Sequence, residues 1–140
     1  MLAQHGATED TERSMSLSHG SELSERVIGL AIDVHRQLGP GLLESVYEEC
    51  LCFELQHAGM AYGRQVPLSL VYKKVRLECG YRMDIVVEHQ LIVEIKAVER
   101  LLPIHEAQML TYLRLSGHQV ALLMNFNTVA VKDGLRRFVL

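Results

Sequence analysis

An α/β protein, with helices packed on a mixed sheet, is what the sequence predicts. Three observations carry that expectation. Stretches with helical apolar spacing alternate with strand-like apolar runs along the chain. Glycine and proline fall between them as breaks, at Gly39-Pro40, Gly59, Pro103 and Gly117. The 140 residues suit a single domain with a core of its own.

Residues 1–20, "MLAQHGATEDTERSMSLSHG", are polar and aperiodic, and are expected to form a flexible tail ahead of one domain over residues 21–140. A first helix follows, its stripe made by Leu23, Val27, Leu30, Ala31, Val34 and Leu38. Ser21 or Ser24 is its expected cap and Gly39-Pro40 its stop. A second helix is expected from about Leu42 to Ala58, ended by Gly59. Val66, Leu68, Leu70 and Tyr72 alternate as in a half-buried strand, and Lys73-Lys74 make the turn. "VRLECGYRMDIVV" contains the second strand and, after the polar break "EHQ", "LIVEIKAV" is the third. Pro103 suits the first position of a third helix, whose Ile104, Ala107, Leu110, Thr111 and Leu115 keep the period to Gly117. "VALLMNF" is a fourth strand, and "KDGL" turns into a short last one, "RRFVL". The order is ααβββαβ with a small C-terminal hairpin.

Composition narrows the class. Hydrophobic residues make up 49% and charged ones 22%, the balance of a globular domain. No apolar stretch approaches the ~20 residues of a membrane span, and the N-terminus lacks the apolar core of a secretion signal, so a cytoplasmic protein without membrane contact is expected. Cys50, Cys52 and Cys79 form no C-x-x-C pair and read as free thiols. The net charge of −3 resides in residues 1–22; the remainder holds 13 acidic and 13 basic residues. A neutral body does not advertise a nucleic-acid binder, yet can hold a local basic patch.

The third strand poses the chemical question. Glu94 and Lys96 interrupt an apolar run, and strand periodicity points both to one face. Burying two charges is costly unless each has a partner. They can neutralise one another as a structural ion pair, or something else sits beside them. Asp84 also interrupts an apolar stretch, and the turn at Glu88–Gln90 makes its strand the neighbour of the Glu94 strand. Like charges so placed repel unless a divalent cation lies between them. Lys96 would then reach past the metal toward a water or a phosphate oxygen. Arg64, Lys73, Lys74, Arg76 and Arg82 lie on or between neighbouring strands, where they fit phosphate contacts and a solvated face equally. His35, a tempting metal ligand, reads more simply as a structural histidine, and Tyr47 as a core aromatic.

The D-x9-E-x-K pattern of Asp84, Glu94 and Lys96 resembles the core of the PD-(D/E)XK nuclease superfamily, although Met83 stands where the motif's proline would be. Over roughly residues 22–140 the chain is similar to the GxxExxY protein family. "GPGLLESVYEECL", with Gly41, Glu44 and Tyr47, carries that likeness, together with "VHRQLGPG", "RQVPL", "GYRMDIVVE", "IVEIKAVERLLPIHEAQMLTYLRLSG" and "NFN…KDGLRRFVL". The resemblance implies a restriction-endonuclease-like αβββαβ core with an extra N-terminal helix. It implies a Mg2+- or Mn2+-dependent nuclease acting on nucleic acid, DNA in the first instance. Asp84, Glu94, Glu44 and the Ile95 carbonyl would hold the metal, Lys96 would orient the attacking water, and Gln108 and Tyr112 would position substrate or the lysine. The competing expectation is a non-catalytic nucleic-acid- or protein-binding module on the same fold. A nuclease this small is also expected to gain from a homodimer or another partner in holding its substrate.

Overall fold

The computed structural model describes residues 22–140 in full and only the backbone of residues 8–21, so the tail expected over residues 1–20 lies outside the fully described residues. In chain order the elements are α1 (Thr8–Leu38), α2 (Glu44–His57), β1 (Tyr62–Tyr72), β2 (Val75–Val87), β3 (Leu91–Lys96), α3 (Pro103–Ser116), β4 (Val120–Asn125), a 3-10 turn (Val131–Gly134) and β5 (Leu135–Val139). The strands form one sheet in the order β1-β2-β3-β4-β5. Neighbours are antiparallel except β3 and β4, which run parallel and are joined by the α3 crossover. This is the expected mixed sheet flanked by helices, a restriction-endonuclease-like arrangement with an extra first helix.

Strand alternation sorts the core into two layers. Leu91, Val93 and Ile95 of β3, with Val120, Leu122 and Met124 of β4, pack against Val27, Ala31 and Val34 of α1 and Tyr47, Leu51 and Leu55 of α2. Ile92 of β3, with Ala121 and Leu123 of β4, packs on the opposite face against Met109, Tyr112 and Leu113 of α3. Glu94 and Lys96 share the parity of Ile92 and so belong to the α3 side. Among the described residues, no helix is long and apolar enough to cross a membrane.

Two boundaries differ from the expectation. Ser21 and Ser24 lie inside α1, and neither caps it. Ser24 is instead buried, its hydroxyl 3.4 Å from Arg137 Nε of β5. Strand β1 begins at Tyr62, four residues before the alternating pattern, because Gly63-Arg64-Gln65 pairs with β2 without presenting alternate apolar residues.

The GxxExxY segment is a tied corner between α1 and α2. Gly39 (φ 69°) and Gly41 (φ 99°) take left-handed conformations that a side chain would strain. The fully buried Tyr47 donates its hydroxyl proton to the Gly39 carbonyl (2.6 Å), accepts the Leu42 amide (3.1 Å) and stacks on Phe126 at 4.6 Å. His35 Nε2 lies 2.9 Å from the Thr128 carbonyl oxygen, which ties α1 to the loop after β4. Both residues therefore serve the fold, as their sequence context suggests.

Candidate active site at the fork of β2 and β3

The β2–β3 ladder runs Val87↔Leu91, Val86↔Ile92, Ile85↔Val93 and stops. The next pair in register is Asp84 and Glu94. Here the carboxylates take over from the backbone: the Asp84 amide donates to Glu94 Oε1 (2.7 Å), and the Ile95 amide donates to Asp84 Oδ2 (2.9 Å). Each acid thus caps an amide of the opposite strand, and beyond this point β2 parts from β3. The β2 alternation also slips at the same place. Met83 and Val86 both pack toward α3, while Ile85 and Val87 pack toward α1 and α2.

Two carboxyl groups meet in a poorly hydrated place. Glu94 is only 4% exposed. Burial, and then the Asp84 charge, push its carboxyl up to about 8, against which the Asp84 amide and Lys96 act more weakly. Burial also raises Asp84, opposed by the Ile95 amide. The pair is short of positive charge.

Lys96 does not make up the shortfall by contact. Among the described residues, the ion pairs within 4.0 Å are Arg36–Asp33, Arg64–Glu48, Arg64–Glu49 and Arg76–Glu78, and none involves Lys96. A closed Glu94–Lys96 ion pair is therefore not what holds β3 together. The lysine lowers both carboxyls through space only. The backbone from Lys96 to Val98 is held at each residue. The Phe126 amide donates to the Lys96 carbonyl (2.8 Å), and the Ala97 amide donates to Glu44 Oε2 (3.1 Å). The buried Asn125 side chain accepts the Val98 amide (3.0 Å) and donates to the Val98 carbonyl (2.9 Å).

Glu44 is thus placed at the end of β3, next to Lys96, on the exposed first turn of α2. The α2 acid linked to Asp84 is one turn further on. Glu48 is buried and takes Arg64 Nε on Oε2, while Gln65 Nε2 lies 3.0 and 3.1 Å from its two oxygens and 3.4 Å from Asp84 Oδ1. With carboxylates on both sides, the amide must present its NH2 group to them. Gln65 stands opposite Asp84 in the β1–β2 register and holds φ at 53°, a left-handed value uncommon outside glycine. Reasoning from sequence missed both Glu48 and Gln65. The signals for them were thin: a second glutamate one helical turn after Glu44, and the "RQ" preceding the alternating strand.

Arg64 is committed to Glu48 and Glu49, and Arg82 Nη1 lies 3.4 Å from the Gln65 carbonyl. On α3, Gln108 Nε2 and the Tyr112 hydroxyl are 3.0 Å apart, as their four-residue spacing allows. Burial, and then the Glu94 charge, raise the Tyr112 hydroxyl. The three cysteines are free, and burial pushes the Cys52 thiol up to about 11, the mark of an unreactive core thiol.

Among the described residues, no group of three or more Asp, Glu, His or Cys side chains closes around one point. Those residues form no closed all-protein cage. That leaves the arrangement magnesium favours, one or two carboxylates with waters completing the shell. The charge deficit at Asp84 and Glu94 fits such an ion.

The model of the PD-(D/E)XK nuclease superfamily matches residues 21–138. The chain belongs to that superfamily, whose nucleases typically use divalent metals. No curated protein and no solved structure matches it.

Proposed function

We propose that the protein is a magnesium- or manganese-dependent nuclease that hydrolyses phosphodiester bonds of DNA, in the GxxExxY branch of the superfamily. The observation that carries this reading is the Asp84–Glu94 pair at the strand fork, Glu94 buried and Asp84 half-buried, with no contact cation and no ion pair to Lys96 among the described residues.

Asp84 and Glu94 would hold the ion, with the Ile95 carbonyl as a further oxygen and Glu44 closing the side nearest Lys96. When bound, the ion supplies an acidified water and neutralises phosphate oxygens. Lys96 would orient the attacking water and stabilise the charge that builds on the phosphate oxygens. Gln108 holds the Tyr112 hydroxyl, and the pair fixes the lysine or the substrate from the α3 side. Glu48 and Gln65 keep Asp84 in position from β1 and α2.

The test is incubation with a panel of duplex, single-stranded and junction DNAs and RNAs in the presence of Mn2+, with Lys96→Ala in parallel. Cleavage by the wild type and none by the variant is the expected result. A magnesium titration without a saturable site would instead leave a binding module on a nuclease-like fold.

A further inference from the structure

Beyond the fork, β1 and β2 continue as a two-stranded ribbon that α3 covers only at its base, where Leu68 and Met83 are buried. Eight consecutive β2 residues, Val75 to Arg82, are exposed, and both tyrosines of the ribbon stand out, Tyr72 at 59% and Tyr81 at 50%. Two-stranded ribbons are marginal in water without a covering layer, so this length of strand needs a reason.

Charge supplies one. Residues 69–82 hold Lys73, Lys74, Arg76 and Arg82 against Glu78 alone. The rest of residues 23–140 then carries 9 basic and 12 acidic side chains, so the neutral body is polarised with its positive excess on the ribbon. The tip concentrates it. Tyr72 pairs with Val75, which leaves a two-residue turn made of Lys73 (φ 47°) and Lys74 (φ 72°). Such mirror-image turns favour Asn-Gly, and a side chain in the left-handed region is strained. Two lysines here are poor turn residues; Lys73 Nζ lies 5.5 Å from the centre of the exposed Tyr72 ring, a weak contact in water, and among the described residues neither lysine has an acid within ion-pair distance.

A second copy of the chain is a weaker occupant. Two positive tips repel, and β1 is an edge strand whose Pro67 removes an amide from edge-to-edge pairing. Duplex nucleic acid fits better. Up to about 30 Å of strand separates Asp84 from the tip, close to one turn of a double helix. The ribbon is also bent on the way, by a bulge setting Glu78, Cys79 and Gly80 (φ 78°) opposite Ser69.

We infer that the β1–β2 ribbon is a phosphate-tracking arm that grips duplex nucleic acid about one helical turn from the bond placed at Asp84 and Glu94. This rests on the proposed nuclease reading.

The double variant Lys73→Asn with Lys74→Gly tests it, because the new residues suit the turn while removing its charge. Binding to a fluorescein-labelled 30-base-pair duplex is followed by anisotropy in EDTA between 50 and 200 mM KCl, with thermal melting and a Mn2+ titration alongside. The variant is expected to melt at or above the wild-type temperature and to bind Mn2+ unchanged. Its duplex affinity falls by up to roughly 60-fold at 0.1 M salt, and the slope of log affinity against log salt is shallower by about 2. Equal affinity and slope in wild type and variant overturn the arm and leave the metal site standing. A wild type that binds Mn2+ but no duplex also overturns the arm, and one that binds neither removes the nuclease reading with it. Loss of a wild-type dimer in sedimentation, with duplex binding unchanged, assigns the ribbon to self-association and overturns the inference.

Discussion

Replacing Glu94 with glutamine keeps the side chain's size and an oxygen acceptor for the Asp84 amide, but removes the charge. Without metal, burial and the Asp84 carboxylate lift the Glu94 carboxyl from 4.5 to about 8. The folded protein then holds this proton more tightly than the unfolded chain does. Between about pH 4.5 and pH 8, unfolding releases it, so stability falls as pH rises and the full penalty is present above the folded value. That penalty is on the order of 5 kcal/mol at most, since part of it is shared with Asp84. Glu94→Gln escapes it. Thermal melts in EDTA should show wild type and variant nearly equal at pH 4.5, with the variant higher at pH 8.5 by up to roughly 15 °C. Mn2+ should raise the wild-type melting temperature at pH 8.5 and leave the variant's unchanged, because the ion takes the place of the proton. A variant less stable than wild type at pH 8.5 would refute the reasoning. It would mean that ionised Glu94 stabilises the metal-free fold, as half of an ion pair would.

Lys96→Ala should melt within about 1 kcal/mol of wild type, because Lys96 makes no contact ion pair to lose. It should keep its Mn2+ affinity and lose at least about 100-fold in cleavage rate, read from steady-state kinetics on whichever substrate the panel reveals. Tyr47→Phe removes the hydroxyl that serves both Gly39 and Leu42, and should cost about 1–3 kcal/mol in urea unfolding without altering Mn2+ binding. The two α2 acids should separate clearly. Glu44→Ala loses one exposed bond to the Ala97 amide, about 1 kcal/mol, whereas Glu48→Ala removes the buried acceptor of both Arg64 and Gln65, leaves Arg64 to Glu49 alone, and should cost about 2 kcal/mol. A drop in Mn2+ affinity for Glu44→Ala beyond what its stability loss explains marks that residue as a ligand.

Much of this architecture is legible in the residues because it follows from short-range periodicity. The alternation of "LIVEIK" assigns Glu94 and Lys96 to one face, and the Glu88–Gln90 break fixes the hairpin that sets Asp84 against Glu94. Pro103 opens α3 where its fixed backbone angle suits the first helical position. What periodicity cannot supply is which side chain wins a contact between distant elements. Glu44 and Glu48 lie on neighbouring turns of α2, and only the packing angle of that helix on the sheet decides that Glu48 meets Arg64 and Gln65 while Glu44 meets the end of β3. The left-handed Gln65 was hidden for a related reason. Its conformation accompanies side-chain contacts with Glu48 and Asp84 on other elements, and nothing in "GRQVP" demands it.

The fork itself argues for a ligand from outside the chain. A ladder that ends between β2 and β3 leaves backbone amides needing acceptors, and serine, threonine or asparagine would satisfy them without charge. This chain uses two carboxylates, 2.7 and 2.9 Å from those amides, in a place where burial penalises their ionisation. Capping alone does not account for the second negative charge. Along β2 the signs are also largely separated, with an acid at Asp84 and a basic excess from Arg82 outward to the Lys73-Lys74 turn, where Glu78 is taken up by Arg76. A phosphodiester chain held by the ribbon would carry its own negative charge to Asp84 and Glu94, where repulsion forbids close approach unless a cation intervenes. The two halves of β2 are therefore compatible with one substrate only when the fork is loaded. Duplex affinity of the Lys96→Ala protein should accordingly rise when a divalent ion is added at constant ionic strength, and a fall would separate the ribbon from the site.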